Sequence, residues 1–188
     1  NALLRSAKRI NVSYFKEQQE DAINAIWQWW QSQSISFTLS GYAGTGKTFI
    51  MRHLVRYLII EKVCVTAPTH KALRVLENSS GKKGMTIQSL CGLRPDVDIE
   101  DYNIENPSFK VIGKQKMRGY RLVIIDECSM INKDLFQLNR NRATTYNVKI
   151  LYVGDPLQLP PVNEEISLTF ATVKNKVVLT DIVRQEEG

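Results

Sequence analysis

The stretch LSGYAGTGKTF (39–49) limits what this chain can fold into more than any other. It places glycines at 41, 44 and 46 and follows the last with Lys47 and Thr48. The spacing Gly41-x-x-x-x-Gly46-Lys47-Thr48 is that of a phosphate-binding loop. A flexible surface loop would explain the glycines, but not the Lys-Thr pair or the apolar residues on either side. Read as a phosphate loop, it has a strand running in, SISFTLS (34–40), and a helix leaving, KTFIMRHLVRYLII (47–60). Glycines let backbone N–H groups close around phosphates, and the helix N-terminus adds its positive dipole.

The rest of the chain alternates in the same way. EQQEDAINAIWQWWQS (17–32) carries Ala22, Ile23, Ile26, Trp27 and Trp30 at helical spacing; Trp29 falls off that stripe, and the tryptophan cluster reads as core packing. Five short β-rich runs follow: SISFTLS, KVCVTAP, RLVIIDE, VKILYVGD and KVVLT. Helical patterns lie between them at 47–60, 69–77 and 132–141. Runs such as LVII are apolar on consecutive residues, as expected of strands covered on both faces. Strands alternating with helices predict an α/β fold, a mainly parallel sheet flanked by helices with right-handed crossovers. Residues 91–120 break the rhythm. DVDIEDYNI and SFKVIGK predict two strands around a turn at Asn106-Pro107, a small β-hairpin insertion with an acidic first half and a basic second half.

A chain of 188 residues suits one α/β domain with a small insertion. No apolar run approaches the roughly 20 residues needed to span a bilayer, so no membrane association is expected. No cleavable signal is evident, and since the chain begins at Asn1, its native N-terminus is expected upstream. Cys64, Cys91 and Cys128 are odd in number, far apart and without zinc spacing, so they read as reduced thiols of a cytoplasmic protein. The formal charge of +6 favours a polyanionic partner, although phosphate-binding enzymes and plain solubility produce it too.

A phosphate loop that handles a nucleoside triphosphate needs Mg²⁺ to bridge the phosphates. The loop hydroxyl, here Thr48, is one expected ligand. The second is an acidic residue at the end of a buried strand, and LVIIDE supplies Asp126. Glu127 follows at once and is placed to polarise an attacking water. In VGDPLQLPPV a buried strand ends at Gly154-Asp155, and a Pro-bounded loop then presents Gln158, whose amide can report on a γ-phosphate.

Together these stretches resemble a known family. GYAGTGKT, APTHKA, TIQSL, IIDECSM, VGDPLQLPPV and LTDIVRQ occur in the order and approximate spacing of motifs I, Ia, Ib, II, III and IV of superfamily 1 DNA helicases, closest to the RecD-like, Dda-like 5′-to-3′ branch. The resemblance implies a RecA-like phosphate-loop domain over 1–90 and 121–188, with 91–120 in the place of the strand-separating pin. It implies ATP bound by Gln19, Gly41, Ala43, Gly44, Thr45, Gly46, Lys47 and Thr48. Gln19 would read the adenine, with Gln18 adjacent as the other possible reader. Lys47, Glu127, Gln158 and Arg184 are the implied catalytic groups, Glu127 as base, Gln158 as γ-phosphate sensor and Arg184 also on the nucleotide. Thr48 and Asp126 are implied to hold Mg²⁺. Single-stranded DNA would meet Pro68, Thr69, His70, Thr86 and Ser89. Where many relatives have TIHS this chain has TIQS, with Gln88. Phe109 is the candidate wedge at a fork or tailed duplex, with packing of its ring against the parent domain as the competing reading. The family closes two RecA-like domains around ATP, and no second one is expected within this chain. The isolated chain, expected to be a monomer, should therefore bind ATP weakly, hydrolyse it very slowly and not unwind DNA. Two other classes compete: a different phosphate-loop ATPase, and a nucleic-acid-binding module without turnover.

Overall fold

The computed structural model describes residues 17–57, 62–95, 109–111 and 113–183. Helix α1 (Glu17–Gln31) precedes β1 (Ser36–Gly41), the phosphate-loop segment and α2 (Lys47–Tyr57). Then come β2 (Val63–Ala67), α3 (His70–Ser80), β3 (Met85–Thr86) and the short α4 (Ile87–Cys91). Strands β4 (Leu93–Pro95) and β5 (Phe109–Val111) form a separate antiparallel ladder. The chain returns through β6 (Leu122–Ile125), α5 (Lys133–Tyr146), β7 (Lys149–Gly154), α6 (Leu168–Ala171) and β8 (Lys176–Leu179). The main sheet has six strands in the order β3-β2-β6-β7-β1-β8, and every pairing in it is parallel.

Strand alternation divides the core between the two faces of the sheet. Val65, Leu122, Ile124, Leu151 and Val153 point to one side, where they pack with Ile23, Ile26, Ile50 and Leu54 of α1 and α2. Cys64, Val123, Ile125, Ile150 and Tyr152 point to the other, against Leu90 of α4, Phe136 of α5 and Phe170 of α6. Both faces are covered, which explains why LVII carries no polar alternation.

The helix patterns hold, with later ends than the sequence suggests. Helix α3 runs to Ser80 and stops at Gly81 (φ 70°), and α5 runs to Tyr146 and stops at Asn147 (φ 53°), both left-handed termini. Residues 58–60 of the predicted 47–60 helix lie outside the described residues. Trp29 corrects the sequence reading. It is 3% exposed, better buried than Trp27 or Trp30, because it lies seven residues, two helical turns, after Ala22. Its ring meets Phe37 at a centroid distance of 5.5 Å. Strand β3 and helices α4 and α6, all five residues or fewer, have no counterpart in the periodicity.

Within 91–120 the chain carries an antiparallel ladder pairing Leu93 with Val111 and Pro95 with Phe109. Its first strand is Leu93–Pro95, ahead of DVDIEDYNI; that segment and the turn at Asn106-Pro107 lie outside the described residues. At the base Gly113 N donates to the Gly92 carbonyl (3.0 Å) and Lys116 N to that of Leu90 (2.9 Å).

Gly84 is where α3 returns most tightly to the sheet. A Cβ there would stand 2.2 Å from the Val65 carbonyl oxygen and 2.8 Å from Val65 Cγ2. Gly84→Ala should therefore cost about 1–3 kcal/mol by overpacking and lower the thermal midpoint by about 2–4 °C per kcal/mol. Gly119→Ala, with nothing within 4 Å of its Cβ position, should leave the midpoint unchanged in the same calorimetric scan.

Candidate functional site

Because all six strands run in one direction, their carboxyl ends share one edge, and open α/β sheets bind ligands at that edge. The phosphate loop leaves β1 there. Pro68, Thr69 and His70 follow β2, Thr86 ends β3, Asp126 and Glu127 follow β6, Asp155 to Gln158 follow β7, and residues 180–183 follow β8. The motifs converge because parallel topology leaves them no other edge.

The loop is built around close approaches. A Cβ on Gly41 would lie 2.6 Å from Thr45 Oγ1 and 2.8 Å from the Leu179 carbonyl. Gly44 and Gly46 adopt φ of 81° and 90°, conformations that L side chains resist. Thr45 is buried and its hydroxyl donates to the Tyr42 carbonyl (2.8 Å). Ala43, Gly44 and Thr48 are exposed along the loop and at the first turn of α2.

Lys47 Nζ donates to the carbonyls of Gly41 (2.5 Å) and Tyr42 (2.9 Å). Burial pushes its ammonium below the ordinary lysine range, while the Asp155 and Asp126 carboxylates oppose that shift. Burial raises the Asp126 carboxyl above its usual range, and the Glu127 charge adds to this; the Glu127 N–H bond to Asp126 Oδ1 (2.9 Å) and the charge of Lys47 work the other way. Among the described residues no group of three or more His, Cys, Asp or Glu side chains could hold a metal ion alone. A hydroxyl and one carboxylate fit Mg²⁺, which is usually held by one or two carboxylates plus substrate phosphates and water.

Glu127 occupies the left-handed region (φ 51°, ψ 42°) at the head of the Cys128–Met130 turn. That conformation is costly for a non-glycine residue and clusters at functional sites. Nothing in DECSM signals it. Gln158 is exposed and accepts from the Ser129 hydroxyl at 3.3 Å, which ties the β7 loop to the turn after Glu127.

The two adjacent glutamines separate. Gln19 is 3% exposed, and a Cβ on Gly46 would strike its Nε2 at 2.1 Å, so Gln19 packs on the loop. Gln18 instead bonds Thr180 and Asp181. Arg184 lies outside the described residues.

The expected DNA residues form a strip on the β2–β3 side. Ala67 pairs with Thr86, so Pro68, Thr69 and His70 leave the sheet beside the start of α4. Thr69 and His70 are exposed. The Thr69 and Thr86 hydroxyl oxygens cap their own helices, accepting from Ala72 N and Ser89 N at 3.2 Å each, a structural duty the motifs do not announce. Lys116 Nζ donates to Ser89 Oγ (3.3 Å), bringing a cation from the insertion's return to this strip. The backbone of Phe109 is on the ladder opposite Pro95.

Residues 15–188 match the family described as an AAA domain. The uncharacterized protein R530 of Acanthamoeba polyphaga mimivirus is 38% identical over 169 residues, covering 79% of this chain and 34% of that protein. The ATP-dependent DNA helicase dda of Enterobacteria phage T4 is 30% identical over 149 residues, covering 78% of this chain and 33% of that protein. Among solved structures, the Pif1 helicase from Bacteroides in complex with ADP-AlF3 and ssDNA aligns over 92% of this chain and 43% of that one, with TM-score 0.60 and 24% identity. This chain belongs to the superfamily 1 helicases of the Pif1, Dda and RecD-like type. It spans about a third of the length of these curated relatives.

The helicase family's sheet and edge are thus the ones described above. All three cysteines of this helicase domain are buried free thiols. Burial pushes Cys64 and Cys91 up to about 11 and Cys128, in motif II, up to about 12, so they are protonated at neutral pH. No helix among the described residues is long and apolar enough to cross a membrane.

The Asp126 carboxylate is held against its desolvation, so Asp126→Asn should stabilise the metal-free domain at pH 7. Asn keeps an acceptor for the Glu127 N–H. A carboxyl raised in the folded state contributes stability below the unfolded-state range and loses it as pH rises through its folded value. The gain should therefore be a few °C at neutral pH in EDTA and shrink on acidification, as followed by calorimetry.

Proposed function

We propose that this chain is the ATP-binding motor domain of a DNA helicase that couples Mg-ATP hydrolysis to 5′-to-3′ movement on single-stranded DNA and to duplex unwinding. The observation that carries the reading is the clustering of Lys47, Asp126, Glu127 and Asp155 beside a loop that has no room for side chains at Gly41 and Gly46. A nucleotide sensor needs the lysine and the loop; the second carboxylate, Glu127, is what hydrolysis adds.

In this reading the loop N–H groups and Lys47 bind the β- and γ-phosphates, and Gln19, packed on Gly46, reads the adenine. Thr48 and Asp126 would hold Mg²⁺, which offsets charge on the phosphates. Glu127 polarises the attacking water. Its backbone is left-handed at the residue after Asp126, where the chain leaves β6 for the Cys128–Met130 turn. Gln158 senses the γ-phosphate and passes its state to Ser129, its hydrogen-bond partner. Arg184 completes the charge set around the γ-phosphate. The DNA backbone lies along Pro68, Thr69, His70, Thr86 and Ser89, with Lys116 supplying the cation; contacts to phosphate need no sequence specificity. Phe109 is the proposed wedge of the pin. The relative named ATP-dependent DNA helicase dda and the Pif1 structure holding ADP-AlF3 and ssDNA support both halves of the reading.

A second RecA-like domain of the parent protein supplies the remaining nucleotide and DNA contacts. Without its arginine finger, worth about 10³–10⁵ in rate in related hydrolases, the isolated domain hydrolyses ATP very slowly and does not unwind DNA. We place the protein in the cytoplasm, acting as a monomer in replication, recombination or repair.

The test uses the parent chain extended through that second domain. ATP hydrolysis should rise strongly with single-stranded DNA, and Glu127→Gln should lower it by about 10²–10⁴ while ATP binding persists. Hydrolysis indifferent to DNA would leave a phosphate-loop ATPase of another kind.

A further inference from the structure

Gln18, the other possible adenine reader, commits its side-chain amide to the segment that leaves β8. Its Oε1 accepts from Thr180 N (2.8 Å) and Asp181 N (2.9 Å), and its Nε2 donates to Thr180 Oγ1 (2.9 Å). These backbone donors belong to the segment leaving β8, where the ladder no longer satisfies them. Two residues on, Val183 N donates to the Gly44 carbonyl (2.8 Å). Ile182 Cγ2 and Val183 Cγ2 lie 3.6 and 3.7 Å from the Cβ positions of Gly44 and Gly46, so residues 180–183 run along the loop.

We propose that Gln18 is a positioning residue for nucleotide binding: it ties residues 180–183 to the first turn of α1, and that segment holds the Gly44 carbonyl away from the phosphate cradle. The inference rests on the reading of the Lys47 loop as an ATP site. The physical reason is electrostatic. A phosphate loop works by presenting N–H groups to an anion, and a carbonyl turned inward would repel it. Gly44, at φ 81°, has the freedom to make that turn, so its carbonyl needs a partner outside the cradle. Val183 N is that partner, and Gln18 fixes where Val183 lies. Two consecutive glutamines thus divide the work: Gln19 packs on the loop from α1, and Gln18 secures the strap that crosses it.

The distinguishing property is indifference to the base. A strap that shapes the phosphate cradle affects every nucleoside triphosphate equally, whereas a base reader does not. In the 188-residue chain with Mg²⁺, Gln18→Ala should weaken ATP and GTP binding by the same factor, about tenfold, as expected for one or two hydrogen bonds. Gln18→Glu, whose carboxylate accepts both N–H groups and the Thr180 hydroxyl, should restore binding. Hydrogen exchange followed by mass spectrometry gives a readout independent of nucleotide: Gln18→Ala should speed exchange at residues 42–46 as well as at 180–183. Faster exchange confined to 180–181 overturns the strap, and so does a selective loss of ATP over GTP, which would make Gln18 itself the base reader. If the unsubstituted chain binds neither nucleotide, the ATP reading fails, and the exchange comparison still decides whether Gln18 shapes the loop.

Discussion

Lys47 keeps an ammonium group half below the surface, and much of the carboxyl edge is arranged around that charge. Desolvation works against it; the carbonyls of Gly41 and Tyr42 and the carboxylates of Asp126 and Asp155 work for it. Asp126 carries a cost of its own from burial. Asp126 is raised above the usual range despite the lysine, so the site holds charge in a place where folding alone would not put it. Such stored electrostatic cost is what a binding site for a polyanion with its metal is expected to carry, since the ligand supplies the missing compensation. The loop glycines answer a separate, steric requirement: a side chain at Gly41 would strike Thr45 and Leu179, and one at Gly46 would strike Gln19.

Strand order then links the proposed nucleotide side to the proposed DNA side. Strand β6, with Asp126 and Glu127, lies between β2, which leads into Pro68, Thr69 and His70, and β7, which leads into Gln158. The link is hydrogen-bonded as well as adjacent: Asp126 N donates to the Thr66 carbonyl at 2.9 Å, one residue from the end of β2. A shift at the carboxylates is thereby mechanically connected to the strand that presents the proposed DNA contacts. Lys116 extends this strip toward the insertion, whose base is bonded to Leu90 and Gly92.

Much of this was legible in the sequence because it depends on local chemistry. The loop glycines, the apolar strands that lead into Asp126 and end at Gly154, and the helix stripes are each written in consecutive residues. What was not legible depends on three-dimensional placement. The order β3-β2-β6-β7-β1-β8 is set by crossovers, not by any one strand. Trp29 falls off the stripe that helical spacing gives, yet it is in the core because its ring packs on Phe37. The division between Gln18 and Gln19 turns on 100° of helix rotation and on where residues 180–183 pass. Glu127's left-handed backbone belongs to a tight turn that no residue of DECSM announces. Thr69 and Thr86 read as ligand contacts, while their oxygens serve first as helix caps.

The central claim is that the Lys47 loop, with its two carboxylates, is a Mg²⁺-dependent triphosphate site already formed in this domain. Isothermal titration of the 188-residue chain with ATP, with and without Mg²⁺, tests it most directly when run beside Lys47→Ala. The account predicts saturable ATP binding that needs Mg²⁺ and disappears in Lys47→Ala while the domain stays folded. Equal binding by Lys47→Ala, or binding unaffected by Mg²⁺, would contradict it.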